Sequence, residues 1–273
     1  MSGRRLLTFL SDFGRASPYP AAMKAAAAAV CEAAFVDISH DVPPHSVRTG
    51  AYLLWSVAPV FPPGTVHCAV VDPGVGTARA ALAVASGGQV FVGPDNGLLI
   101  PAARRLGPLR AYRLTNSRYW RTPVSATFHG RDIFAPVAAH VAAGVSLDDL
   151  GEPASAWVDM TFPEGRWDGE ALAGEVLWID PFGNLVTTIP GSLLDRIPDA
   201  GVRVEVGSAT LRGRVGRTFA DVPEGDVVVL VGSDGVVEVA VRCGSAAARA
   251  GAVAPCPVRI LPEGSGTGGK RKE

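Results

Sequence analysis

The stretch 65–94, TVHCAVVDPGVGTARAALAVASGGQVFVGP, sets the architecture of the first half of the chain. TVHCAVV is a short, β-branched apolar run, the pattern of a strand buried on both faces. It stops at Asp72, in a loop rich in proline and glycine. ALAVAS and QVFVG follow as two further strands joined by a Gly-Gly turn. Working outward, LLTFL at 6–10 and AFVDI at 34–38 read as strands of the same kind. Between them lie helical patterns: PYPAAMKAAAAAVCEAA from residue 18, with Pro20 near its first turn, and the amphipathic SVRTGAYLLWSVAPVF from residue 46. The β-α-β-α-β order predicts a mostly parallel sheet with right-handed crossovers, the core of an α/β/α sandwich. RDIFAPVAAHVAAG, from residue 131, predicts one more helix ending near Gly144.

Beyond about residue 165 the pattern changes. EVLWID, LVTTI, VRVEV, ATLRGRV, VVVLV, VVEVAV and PVRIL are short, strand-like and separated by Gly, Pro, Asp or Ser. They predict a smaller antiparallel β-barrel domain. The expected division is an α/β domain over 1–165, a barrel over 166–262 and a disordered, Gly-rich tail over 263–273, with TFPEGRWDGE at 161–170 as linker. No internal repeat is visible.

Composition narrows the function. Of 273 residues 48% are apolar and 19% charged, and the net charge is −1, so the chain can fill a core but lacks the basic footprint of a nucleic-acid binder. A small or zwitterionic partner fits better. The four cysteines, Cys31, Cys68, Cys243 and Cys256, show no CxxC spacing and read as reduced structural thiols. No apolar run approaches the ~20 residues of a membrane span. LLTFL is too short for a signal peptide and lacks a small-residue cleavage site after it, so a cytoplasmic location is expected.

The first three strands end in polar clusters: Ser11-Asp12, Ser39-His40-Asp41 and Asp72. Ligands of open α/β sheets bind outside the carboxyl ends of the strands. Asp12, the 40–45 loop and Asp72 therefore share one rim, although each also suits a turn or cap. In DPGVGTAR, Asp72 and Arg79 face each other across a loop of fixed path. They suit a structural salt bridge as well as a site. The loop lacks the GxxxxGK[ST] phosphate-binding pattern. FHGRD puts His129 just before a helix start, with Asp132 either a cap or a site residue. GPDNGLL and DPFGN read locally as Asx-turns. His40, His45, His67 and His129 show no HxH, HExxH or DxDxDG spacing, so no metal is expected.

Taken together, TFLSDFG, PPHSVRTGA, FPPGTVHCAVVDPGVGTAR, FVGPDNGLL, FHGRDIFAP, IDPFGNLVTTIP and GSDGVVEVAV occur in an order that resembles the S-adenosyl-L-methionine hydroxide adenosyltransferases, relatives of fluorinases and chlorinases. The resemblance runs from about Leu6 to about Ile260. It implies cofactor-free and metal-free hydrolysis of S-adenosyl-L-methionine to adenosine and methionine. A water-activating triad falls on Asp72, Arg79 and His129, and a ribose-binding carboxylate on Asp12. Asp180 would meet the methionine ammonium, and Phe182 and Asn184 the adenosine. Phe128 and Phe219 would pack on the nucleoside, Ser233 and Glu238 would hold the amino-acid end, and His45 would line the pocket. The resemblance also implies a homotrimer with sites shared between subunits. The stretch after the EVAV strand, VRCGSAAAR, departs from the family's asparagine-rich pattern, so no adenine contact carries over there. Two rival functions remain: a halide-using halogenase, which the intact triad disfavours, and a non-catalytic sensor of the same ligand.

Overall fold

The computed structural model describes residues 5–197 and 201–263; of the tail 263–273 expected to be disordered, Glu263 is bonded to Gly201 and 264–273 lie outside the described residues. The chain divides into two compact units, Met1–Thr161 and Phe162–Glu273.

The N-terminal unit opens with β1 (Leu6–Ser11), α1 (Tyr19–Ala28), β2 (Ala34–Ser39), α2 (Val47–Val57) and β3 (Val66–Val70). β4 (Ala81–Ser86), β5 (Gln89–Pro94), α3 (Ile100–Leu106), β6 (Arg110–Arg113) and α4 (Ala135–Ala143) follow. The six strands are ordered β2-β1-β3-β5-β4-β6. β1, β2, β3 and β5 pair in parallel, as expected, while β4 and β6 add an antiparallel edge. Both faces of the sheet are covered. Leu7 and Phe9 share a buried core with Met23 and Ala27 of α1 and Val137 and Ala138 of α4. Leu10 points the other way, toward α2: a Cβ on Gly50 would come within 3.0 Å of Leu98 and Val71 and 3.5 Å of Leu10. The bare glycine lets that helix lie close to the sheet.

The helices α1 and α4 depart from their sequence reading. α1 stops at Ala28, because Val30 and Cys31 leave the helix and pack against the core. The helix expected from residue 131 begins as a π-helical turn, Gly130–Phe134, before α4, and Gly144 caps it with φ of 104°.

The C-terminal unit contains β7 (Arg166–Asp168), β8 (Ala171–Ile179), β9 (Leu185–Pro190), β10 (Gly201–Val206), β11 (Ala209–Val215), β12 (Val227–Val231), β13 (Val236–Val241), α5 (Ala246–Ala250) and β14 (Cys256–Pro262). Seven strands run in the order β14-β10-β11-β12-β13-β9-β8, and β14 pairs with β8 to close a barrel. Closure leaves no unpaired edge among these seven. β7, inside the stretch read as linker, pairs outside the ring on β8. All pairs are antiparallel except β11–β12. The barrel interior is aliphatic, with Val204, Val229, Val239 and Ile260 fully buried. Among the described residues no helix is long and apolar enough to cross a membrane. All four cysteines are unpaired.

Candidate active site

The DPGVGTAR loop leaves β3 and folds back on itself. Arg79 Nε donates to Asp72 Oδ1 at 3.0 Å and Nη2 to Oδ2 at 2.5 Å, a bidentate pair. The side chains are only 5% and 11% exposed, and Arg79 lies over the Phe134 ring, 5.1 Å from its centre. Gly76, with φ of 78°, passes so close to the backbone of Ala126 that a Cβ would sit 2.8 Å from its carbonyl oxygen. This contact sets the loop against the segment leading to His129.

His129 caps the π-helical turn, and Arg79 Nη2 lies 2.9 Å from its Nδ1. A guanidinium only donates, so Nδ1 accepts and the neutral ring carries its hydrogen on Nε2. Burial lowers the His129 pKa below the ordinary histidine value, and the Arg79 charge adds to this against the opposing pull of Asp72 and Asp132. The ring is therefore neutral at pH 7, with Nε2–H as a donor. Asp132, fully buried, is neither a helix cap nor part of this cluster. It accepts from the Ser125 N–H at 2.9 Å, from Arg121 at 3.2 Å and from Arg131 at 2.7 and 2.8 Å. Burial opposes its charge, but Arg131, Ser125 and Arg121 together hold its carboxyl below the usual range. It anchors the loop that presents Phe128 and His129.

Asp12 follows β1 and accepts the His45 N–H on Oδ2 at 2.9 Å. His45 reaches that position with φ of 66°, a costly conformation for a non-glycine residue. Phe13, beside Asp12, meets the edge of Phe128, beside His129, at 5.7 Å between ring centres, and Tyr19 touches both rings. The aromatic contact joins the two polar clusters, so Asp12, His45, Asp72, Arg79, Phe128 and His129 form one neighbourhood.

The six candidates of the C-terminal unit, Asp180, Phe182, Asn184, Phe219, Ser233 and Glu238, line a single cleft of about 900 Å³. Asp180 organises the DPFGN turn, accepting from the N–H groups of Phe182 and Asn184 at 2.9 and 2.8 Å and from Asn184 Nδ2 at 2.8 Å. That turn leaves Phe182 78% exposed. Gly183, with φ of 84°, packs on Ser245: a Cβ there would lie 2.0 Å from the Ser245 hydroxyl. Burial, reinforced by Asp180 and Asp234, raises Glu238 to about 7. The cleft also includes Arg217, Thr218, Arg242, Cys243, Gly244 and Ser245, which sequence reasoning did not assign. For Arg242, Cys243, Gly244 and Ser245 the departing VRCGSAAAR stretch was the available signal, since it ends the strand that carries Glu238, while Arg217 and Thr218 adjoin the candidate Phe219.

Among the described residues no three His, Cys, Asp or Glu side chains cluster as metal ligands. His67, one of the histidines weighed as a ligand, is fully buried between Thr8 and Gln89, with contacts of 2.7 and 2.8 Å.

The chain thus pairs a three-layer α/β unit carrying an Asp–Arg–His cluster with a β-barrel whose cleft is lined by Phe182, Phe219, Asp180, Glu238, Arg217 and Arg242. The chain belongs to the SAM hydroxide adenosyltransferase family: the N-terminal domain of that family matches residues 7–151 and its C-terminal domain residues 174–259. It is 46% identical over 246 residues to the (R)-S-adenosyl-L-methionine hydrolase of Salinispora tropica, covering 88% of this chain and 92% of that protein. A protein of the same name from Thermus thermophilus is 45% identical over 266 residues, 94% of this chain and all of that protein (100%). A fluorinase of an Actinoplanes species is more distant, 28% identical over 275 residues, 88% of this chain and 91% of that protein. The crystal structure of an uncharacterized conserved protein from Thermotoga maritima superposes with a TM-score of 0.89 at 36% identity, covering 93% of this chain and 99% of that one.

Proposed function

We propose that this protein hydrolyses S-adenosyl-L-methionine to adenosine and L-methionine, by attack of an activated water on the ribose C5′. The observation that carries the reading is the Asp72–Arg79–His129 cluster, in which a nearly buried ion pair is bonded to a half-buried imidazole. Methionine leaves a sulfonium as a neutral thioether and needs no general acid. The barrier lies in the nucleophile, because bulk water has a pKa near ~15.7. Arg79 and the substrate's own sulfonium favour hydroxide electrostatically, more strongly as water is excluded. His129 donates Nε2–H to the incipient hydroxide. With Nδ1 engaged by Arg79, the lone pairs left to receive the proton belong to Asp72.

In this reading Asp12 holds the ribose hydroxyls, while Phe128, Phe182, Phe219 and Asn184 surround the nucleoside and His45 borders it. Asp180, Ser233 and Glu238 take the amino-acid end. Catalysis uses no metal and no cofactor. The working assembly is a cytoplasmic homotrimer whose sites combine the N-terminal unit of one subunit with the C-terminal unit of the next. The shares of identity with hydrolases and with the more distant fluorinase support hydrolysis over halogenation.

The test is incubation with S-adenosyl-L-methionine, with and without chloride or fluoride, followed by product chromatography. Equal yields of adenosine and methionine are expected, unaffected by halide. A 5′-halo-5′-deoxyadenosine as main product, or tight binding without turnover, overturns the reading.

A further inference from the structure

We propose that His40 is a positioning residue for substrate binding, clasping the turn that carries Asp12 through both its ring and its backbone carbonyl. The proposal rests on the reading that Asp12 holds the substrate's ribose.

His40 follows β2 and its side chain is 4% exposed. Its Nε2 lies 3.1 Å from Asp37 Oδ1, and Lys24 Nζ holds the other oxygen of that carboxylate at 2.5 Å. A carboxylate only accepts, so Nε2 bears the hydrogen and Nδ1 is the acceptor. Nδ1 lies 2.7 Å from the Ser11 hydroxyl, which therefore donates to it. The same Ser11 oxygen accepts the Phe13 N–H at 3.4 Å, and the His40 carbonyl accepts the Gly14 N–H at 2.7 Å. The residues on either side of Asp12, and the glycine that closes the turn with φ of 78°, are thus all tied directly or indirectly to His40.

Between these ties Asp12 has one defined contact, the His45 N–H on Oδ2, and Oδ1 has no donor among the described residues. The turn is held while one carboxylate oxygen is left for a ligand. Burial keeps the imidazole below its ordinary pKa, although Asp37 opposes this, and the neutral ring matches the donor and acceptor roles above. An apolar residue would fill the same volume without the desolvation that a buried imidazole and hydroxyl require. A fully satisfied polar chain beside a ligand-facing carboxylate instead fixes its geometry.

The experiment compares Ser11→Ala, His40→Ala, His40→Gln and Asp12→Asn in the full-length enzyme, by steady-state kinetics and thermal melting. Ribose contacts made equally in ground and transition states appear in KM and not in kcat. Ser11→Ala and His40→Ala should each raise KM about tenfold with little change in kcat, the scale of one displaced hydrogen bond. His40→Gln retains an acceptor and a donor and should recover part of the loss. Ser11→Ala removes a single buried oxygen, so it decides the matter even if His40→Ala fails to fold. If Asp12→Asn raises KM but Ser11→Ala and His40→Ala lower only the melting temperature, His40 is structural and the proposal is overturned. If Asp12→Asn also leaves KM unchanged, the ribose reading of Asp12 falls and the proposal with it.

Discussion

Arg79 reaches His129 with the same Nη2 that holds Asp72: 2.5 Å to the carboxylate and 2.9 Å to the imidazole Nδ1. One nitrogen thus couples the orientation of the carboxylate to the tautomer of the ring. Removing Arg79 would free the imidazole to flip or protonate and leave a nearly buried carboxylate unpaired.

That coupling predicts the response to substitution. Asp72→Asn, Arg79→Ala and His129→Ala should each lower kcat by about 10²–10³ with smaller effects on KM. Double variants should cost little more than single ones, because the three act on one water. His129→Gln keeps an N–H near the Nε2 position and should retain more activity than His129→Ala. Equal losses in both would show that His129 works as a base and not as a donor. Melting curves must confirm that Arg79→Ala is folded.

Glu238 supplies a pH signature of binding. Burial, then Asp180 and Asp234, raise it to about 7, so near neutral pH the free cleft holds it partly protonated. A cationic ammonium in the cleft favours the ionised form. KM should fall as pH rises through about 7, and Glu238→Gln should flatten that dependence while leaving the dependence of kcat unchanged. The same KM–pH slope in Glu238→Gln would assign the titration elsewhere.

His67 gives a signature of stability. Burial lowers it from the ordinary 6.5 to about 4. Between those values the unfolded chain takes up a proton that the folded chain refuses, so stability falls as pH drops through the window and is unaffected above it. The loss reaches about 3 kcal/mol at the acid end. Urea unfolding at pH 7 and pH 4 should show a smaller difference for His67→Gln than for the natural chain. An unchanged difference would remove His67 as its source.

Much of this architecture is legible in the sequence because strands buried on both faces, such as 66–70, must be apolar along their length. Pairing between distant segments is less legible. Nothing in ATLRGRV or VVVLV shows that β11 and β12 run parallel, since strand direction follows from the intervening 216–226 crossover. α3 is hidden behind GPDNGLL, whose turn signal masks a helix that starts at Ile100 and has Pro101 in its first turn. The Asp72–Arg79 pair is readable from one eight-residue stretch, DPGVGTAR. The arrival of His129 from 50 residues away is readable only through family likeness. The Ser11–His40 bond, 29 residues apart, joins two residues that each look like ordinary turn formers.

Metal independence is open to a direct check. EDTA or phenanthroline should leave turnover unchanged, because the proposed activation of water uses Arg79 and His129 in place of a Lewis acid. Loss of activity on chelation, restored by zinc or manganese, would require a metal step.

Assembly is the final expectation. The triad and Asp12 belong to the N-terminal unit, and Asp180, Phe219 and Glu238 to the C-terminal unit. If the working site joins units from neighbouring subunits of a ring, the interface is heterologous and closed, and dilution to monomers should abolish activity. His129→Ala disables one half of such a site and Asp180→Ala the other. Co-expressing the two inactive chains creates hybrid rings in which some sites pair an intact N-terminal unit with an intact C-terminal unit, so activity should reappear. A site built within one chain predicts the opposite, because every chain then carries a lesion in its own site. Differently tagged chains purified in tandem establish that hybrids formed. Hybrids without activity, or a fully active monomer in sedimentation, would place the whole site within one chain.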